Sequence, residues 1–308
     1  MMLAPLPDTA RTKISATLAS ELLEAAERLP LYDNAEYYAT ALQGFIHNSI
    51  RSACPDGFDL VVGLIRERIN RWPYCALLQG LRFDEGNRLF VAINRAFGEL
   101  VSLPLKKPRA QLVHYIQPRT DILAASGGRE VCNLHTDAVD QGTPIDLISM
   151  ICVRPDQAGA GRSRILDVDA VRDEVKTQFG TEALQLLMTE PVPWQLHEGF
   201  GGGVKWRRVL TETGMCWRRY TINLAMSENG AKLSEEMLTS LDAFGSVIAN
   251  STRTMDFLMR EGELLFSDNT RTIHARSAIA DESVSHRLMI RSWINITQGV
   301  ANEVRSNF

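Results

Sequence analysis

In Val131-Cys132-Asn133-Leu134-His135-Thr136-Asp137, an imidazole and a carboxylate stand two residues apart on a stretch that reads as extended. Side chains alternate faces along a strand, so His135 and Asp137 point the same way, with Asn133 beside them. One imidazole and one carboxylate on a common face are two parts of the 2-His-1-carboxylate set that holds non-haem Fe(II) and leaves positions open. A fold that uses the pair this way is built on strands and brings a second histidine to the same point.

A downstream segment offers that histidine. Glu263 to His274 runs an apolar strand into a turn and ends on His274. Arg287 follows, then Arg291, in the run Arg287-Leu288-Met289-Ile290-Arg291-Ser292-Trp293-Ile294. Read as a strand, Arg287, Met289 and Arg291 share one face while Leu288 and Ile290 take the other. Two guanidinium groups side by side in an interior are costly unless anions meet them, and two carboxylates would do so.

The rest of the chain supplies the frame. Residues 11–29 carry Ile14, Leu18, Leu22, Ala26 and Leu29 at helical spacing, and Glu36 to Ile50 and Gly57 to Arg71 read as two further helices. Tyr74 to Phe83 reads as a strand, and Asp84 to Leu100 as a helix with Asp84 at its N-cap. From about Ala110 the pattern turns to strands: Gln111 to Ile116, the His135 segment, Ile145 to Val153 and Arg164 to Val168, the last leading into a helix from Asp169. Further strands are expected within 183–197 and 204–225, around a glycine cluster at Gly199 to Gly203 that reads either as a lid beside the site or as a hairpin tip. Loops are expected at Ala124 to Arg129 and 138–144. Ser234 caps a last helix with Met237, Leu241, Phe244 and Ile248 as its buried stripe. Trp194, Trp206, Trp217, Trp293 and His114 read as core. The expectation is one domain over 1–308, mainly β with flanking helices (α+β): a largely helical N-terminal part at 1–109 and a jelly-roll core at 110–296.

Composition narrows the function. A net charge of −4 over 308 residues gives no basic stripe for nucleic acid. No stretch approaches the ~18 uninterrupted apolar residues of a membrane span. Cys54, Cys75, Cys132, Cys152 and Cys216 are scattered and odd in number, which fits reduced thiols and, with no signal-peptide pattern at the start, a cytoplasmic protein. Oligomeric state is not legible.

In order and spacing, His135-x-Asp137, His274, Arg287 and Arg291 resemble the taurine dioxygenase (TauD/TfdA) and clavaminate synthase-like superfamily of Fe(II)/2-oxoglutarate-dependent oxygenases, over roughly residues 110–296. The resemblance implies a double-stranded β-helix, cupin-like, with the iron inside one mouth. It implies His135, Asp137 and His274 as catalytic metal ligands, with 2-oxoglutarate and O2 as co-substrates, and Arg287 forking onto the far carboxylate of 2-oxoglutarate. It gives Arg291 to an acidic group of the substrate, and Asn133 to the pocket wall. Where the taurine branch places a threonine to help hold 2-oxoglutarate, this chain reads Ala158 to Ser163, so Ser163 is the candidate helper. The carboxylate at 137 disfavours halide transfer. The implied activity is oxidation, foremost hydroxylation, of an unactivated C–H in a small molecule, amino-acid-like or a biosynthetic intermediate, with release of succinate and CO2. Desaturation, ring closure, an iron enzyme independent of 2-oxoglutarate and a catalytically silent jelly-roll binding protein stay open.

Overall fold

The computed structural model describes residues 3–102, 112–118, 128–141, 145–280 and 286–296. Its strands are β1 (Arg11–Lys13), β2 (Cys75–Gln79), β3 (Glu99–Val101), β4 (His114–Ile116), β5 (Cys132–His135), β6 (Leu147–Arg154), β7 (Ser163–Asp167), β8 (Val192–Gln195), β9 (Val204–Arg207), β10 (Met255–Phe257), β11 (Leu264–Asp268), β12 (Thr272–Arg276) and β13 (Leu288–Asn295). The helices are α1 (Ala16–Glu27), α2 (Thr40–Ala53), α3 (Pro55–Ile69), α4 (Arg88–Arg95), α5 (Val168–Thr189), α6 (Arg219–Asn229) and α7 (Glu235–Asn250).

A larger sheet runs β1-β2-β11-β6-β13-β3, with β4 also paired to β13, and a smaller one runs β10-β7-β12-β5. Their facing sides share one apolar layer: Leu77, Cys152, Leu265 and Met289 from the larger sheet meet Ile165, Met255 and Phe257 from the smaller. The outer face of the larger sheet, through Leu264, Phe266, Ile151 and Ile290, packs on Leu22, Ile46, Ile65 and Phe90 of α1–α4. The outer face of the smaller sheet, through Leu166 and Ile273, is covered by Val171, Ile222, Leu241 and Phe244 of α5–α7. Four layers result. Strands buried on both faces need no polar alternation, which is why Ile145 to Val153 reads as a continuous apolar run.

The helices expected near the N-terminus are present, and their ends follow local chemistry. Ser15 caps α1, its Oγ accepting from Leu18 N–H at 3.2 Å, and residues 11–13 ahead of it form β1, parallel to β2, instead of helix. Asp84 serves α4 from a distance, its carboxylate accepting from the backbone N–H of Arg88 and of Leu89. The expected helix over 84–100 is thereby shortened to eight residues, and Glu99–Val101 pair with β13. Ser234 caps α7 and the expected stripe is buried.

Two expected strand regions are partly helical. α5 continues to Thr189, so strand structure in 183–197 is confined to β8; Leu184, Leu187 and Met188 form a helical stripe against the α5–α7 layer. In 204–225 only β9 is a strand, and Ile222 and Met226, four apart, seat α6 on the same layer. Short apolar runs fit either period, and packing decided both. Gly199 to Gly203 join β8 to β9 as a hairpin tip, with Gly201, Gly202 and Gly203 all at positive φ. The expected loops at 124–129 and 138–144 lie partly outside the described residues. Trp194, Trp217, Trp293 and His114 are buried as expected, whereas Trp206 is half exposed.

Candidate active site

β5 and β12 are antiparallel neighbours, and His135 sits directly opposite His274. The two imidazole rings lie side by side, centroids 4.5 Å apart. Asp137 follows two residues past His135, just where Ala138 takes φ 60° and turns the chain away. Thr136 holds that exit: its N–H donates to the Trp217 carbonyl at 2.9 Å, and its Oγ1 accepts from Trp217 N–H at 2.9 Å.

The three side chains converge. Asp137 Oδ1 lies 3.3 Å from His135 Nε2 and 3.5 Å from His274 Nε2. One ligand atom from each residue falls within 4.8 Å of the others. Neighbouring ligands on an octahedral ion with bonds of about 2.1 Å are separated by roughly 3 Å, so a single ion fits against all three. Two imidazole nitrogens and a carboxylate oxygen are the donor set that suits non-haem Fe(II).

Hydrogen bonds orient the donors. His135 Nδ1–H donates to the Asn133 carbonyl at 2.7 Å, which turns Nε2 toward the shared point. Asp137 Oδ2 accepts from Arg291 Nη1 at 2.9 Å and from Trp293 Nε1 at 2.8 Å. Burial would raise the Asp137 carboxyl, but Arg291, His274 and His135 outweigh it and hold it well below the ordinary carboxylate range. Burial would lower His135, yet its bond to Asp137 and the nearby Cys132 thiol raise it to about 10. His274 is pushed down, by burial first and by the charge on His135. The two imidazoles keep 15% and 20% of their side-chain surface exposed against 8% for Asp137, so the accessible side of the cluster is the histidine side.

The expected site residues divide. His135, Asp137 and His274 are brought together. Arg287 is buried on the inner face of the larger sheet, against Gly161, where a Cβ would stand 2.9 Å from its Nε. Burial and the Arg276 guanidinium push Arg287 down to about 10. Ser163 lies two residues beyond Gly161 on β7, facing inward with Ile165 by strand alternation. Arg291 is buried beside the triad with Nη1 on Asp137, while its Nε has no hydrogen-bond partner among the described residues. Asn133 is exposed, and its backbone carbonyl accepts from His135. β5 and β12 change register between His274↔His135 and Arg276↔Cys132, a bulge that falls at Asn133 and Leu134.

Two contributors go unmarked by the sequence motifs. Trp293 reads as core, although its place two residues after Arg291 on the same strand face is a usable signal. Asn269 follows β11 at the turn into β12, and nothing local marks it.

A cleft of about 1010 Å³ opens behind the turn that carries Asp137, lined by Thr136, Asn269, Arg172, Trp206 and Cys216 among others. Asp137 lines it too, but His135, His274, Arg287 and Arg291 do not, so we place the chemistry at the histidine side of the cluster.

A family model described as "Taurine catabolism dioxygenase TauD, TfdA family" matches residues 75–293. Among curated proteins there is no match. An asparagine oxygenase in complex with Fe(II), 2S,3S-3-hydroxyasparagine and succinate is similar in structure, with a TM-score of 0.74 at 14% identity, covering 92% of this chain and 93% of that chain. The non-heme iron oxygenase OrfP in complex with Fe, succinate and (3S)-hydroxy-L-Arg gives a TM-score of 0.72 at 17% identity, covering 96% and 97%. OrfP with Fe and alpha-ketoglutaric acid gives 0.72 at 14% identity, covering 96% of each. At these identities the likeness is one of fold.

Proposed function

The chain belongs to the taurine catabolism dioxygenase TauD, TfdA family, and from that premise we propose that it is an Fe(II)- and 2-oxoglutarate-dependent oxygenase that hydroxylates an unactivated C–H bond of an amino acid or amino-acid-like molecule. The observation that carries the reading is the convergence of His135, Asp137 and His274 on one point. Support for the substrate class comes from the similar structures, whose bound molecules include hydroxyasparagine and hydroxyarginine. We take the two facing sheets as a double-stranded β-helix and the whole chain as one domain.

His135 Nε2, Asp137 Oδ1 and His274 Nε2 would hold the ferrous ion. With 2-oxoglutarate and O2 the ion supplies the oxidation: the oxo acid becomes succinate and CO2, and a substrate C–H becomes C–OH. Arg287, buried on the inner face of the larger sheet, receives the far carboxylate of 2-oxoglutarate as a planar, bidentate pair. The Ser163 hydroxyl donates to that same carboxylate. Arg291 keeps Nη1 on Asp137 and offers its buried Nε, which has no hydrogen-bond partner among the described residues, to an acidic group of the substrate. Asn133 acts through its carbonyl, by orienting His135.

The substrate is a small molecule; the acidic balance of the chain supports no nucleic-acid partner. Among the described residues no helix is long and apolar enough to cross a membrane. We place the protein in the cytoplasm, on the strength of its free thiols.

Adding Fe(II) and then 2-oxoglutarate without oxygen should develop a weak visible charge-transfer band. Admitting air with a panel of amino acids should then release succinate above the rate seen without substrate. No band and no succinate would leave a binding protein as the better account.

A further inference from the structure

We propose that Trp293 is a positioning residue: its indole N–H, together with the Arg291 guanidinium, occupies one oxygen of Asp137 so that the carboxylate meets the metal through the other oxygen alone. This rests on the reading of His135, Asp137 and His274 as metal ligands.

The geometry divides the labour between the two oxygens. Oδ2 takes a hydrogen bond from Trp293 Nε1 at 2.8 Å and another from Arg291 Nη1 at 2.9 Å, which fills its two lone-pair directions. Oδ1 faces the two histidine Nε2 atoms. A carboxylate so held cannot rotate to present both oxygens to one ion. The distinction matters, because a second carboxylate oxygen would take one of the three positions that a chelating oxo acid and O2 need.

The clamp is stiff. Trp293 and Arg291 lie two apart on β13, hence on the same face. At Trp293 that strand is paired on both sides, with Ile148 of β6 and Val101 of β3. The indole is buried and tilted against the His114 ring, centroids 5.8 Å apart, and the Arg291 guanidinium lies over it at 4.9 Å. Plain packing would ask only for the ring; the N–H directed at Asp137 is what the clamp requires.

Trp293→Phe keeps an aromatic ring and removes the donor. Cobalt(II) is the probe, since it binds the same donor set and its visible bands report coordination number. The variant should bind cobalt about tenfold more weakly than wild type, the lower end of what loss of an orienting partner causes. Its bands should shift in position and intensity. Ile290→Val, on the opposite face of β13, should match wild type in both respects. Equal affinity and unchanged bands in Trp293→Phe overturn the inference alone. A wild-type protein that binds no cobalt overturns the metal reading and the inference with it. Should Trp293→Phe fail to fold, the wild type still decides: among the indole N–H signals of its five tryptophans, one should move on adding Zn(II), and none moving overturns the clamp.

Discussion

The side-chain amide of Asn269 brackets the backbone of Asp137: its Oδ1 accepts from Asp137 N–H at 2.8 Å, and its Nδ2 donates to the Asp137 carbonyl at 3.2 Å. The same Nδ2 reaches the Ile145 carbonyl at 2.9 Å. One buried amide therefore ties the β11–β12 turn to the acid-bearing turn and to the entry of β6. Asn269→Ala strands one donor and two acceptors in the interior, at about 1–3 kcal/mol for each group left unpaired. We expect a drop of about 3–9 kcal/mol in urea unfolding, toward the lower end where water reaches a group, and weaker ferrous binding. A variant as stable as wild type would show that water replaces the amide.

Asp137→Asn and His274→Ala should both abolish succinate formation, but they should differ in stability. Asp137→Asn leaves the Arg291 guanidinium buried without its counter-charge, which typically costs about 3–5 kcal/mol. His274→Ala removes a ring that is partly accessible and should cost clearly less. Equal unfolding midpoints for the two metal-free variants would show that the Asp137–Arg291 pair adds little to the fold.

Arg287→Ala should raise the KM for 2-oxoglutarate by about a hundredfold, the scale of a lost charge-assisted pair of hydrogen bonds. Arg287→Lys should recover little, since a point charge does not reproduce the fork. Gly161→Ala is a subtler test. Its φ of +64° already disfavours a side chain, and the new Cβ would press on the Arg287 Nε. Its KM for 2-oxoglutarate should rise too. An unchanged KM in all three variants would remove Arg287 from the co-substrate site.

Ferrous binding should release a proton near neutral pH. In the metal-free site His135 holds its proton up to about 10, whereas His274 is pushed down and Asp137 is ionised. Ligation needs His135 without its Nε2 proton, so affinity should rise by about tenfold per pH unit below that value. Without metal the sign reverses. A histidine raised from about 6.5 contributes stability that is full below the unfolded value and is lost as pH climbs toward 10. Calorimetry in buffers of different ionisation heat counts the proton; a binding heat independent of buffer would sink the prediction.

The parts of the site legible in the sequence are those set by strand alternation and order. His135 and Asp137 meet although only His135 is within β5, and Arg287 stands just ahead of β13, which carries Arg291. The alternation expected through Asn133 is interrupted by one extra residue in β5, and a bulge leaves no mark in residue types. Which acid would answer Arg291, and that an indole would join it, are long-range facts: Asp137 and Arg291 are 154 residues apart in the chain. The helical end of α5 and the whole of α6 are hidden for a related reason, since their apolar residues acquire a period only once the smaller sheet is there to pack against.

His135 and His274 are direct cross-strand partners on β5 and β12, and a slip of one position in that ladder would turn an imidazole to the opposite face. The ladder closes only after most of the chain has been made and folded back on itself. Metal uptake is therefore a late event in biogenesis, and the fraction of chains able to take up an ion counts those whose two distant strands have found the right alignment. A preparation with low metal content despite excess iron would point to mispaired chains before it pointed to a weak site.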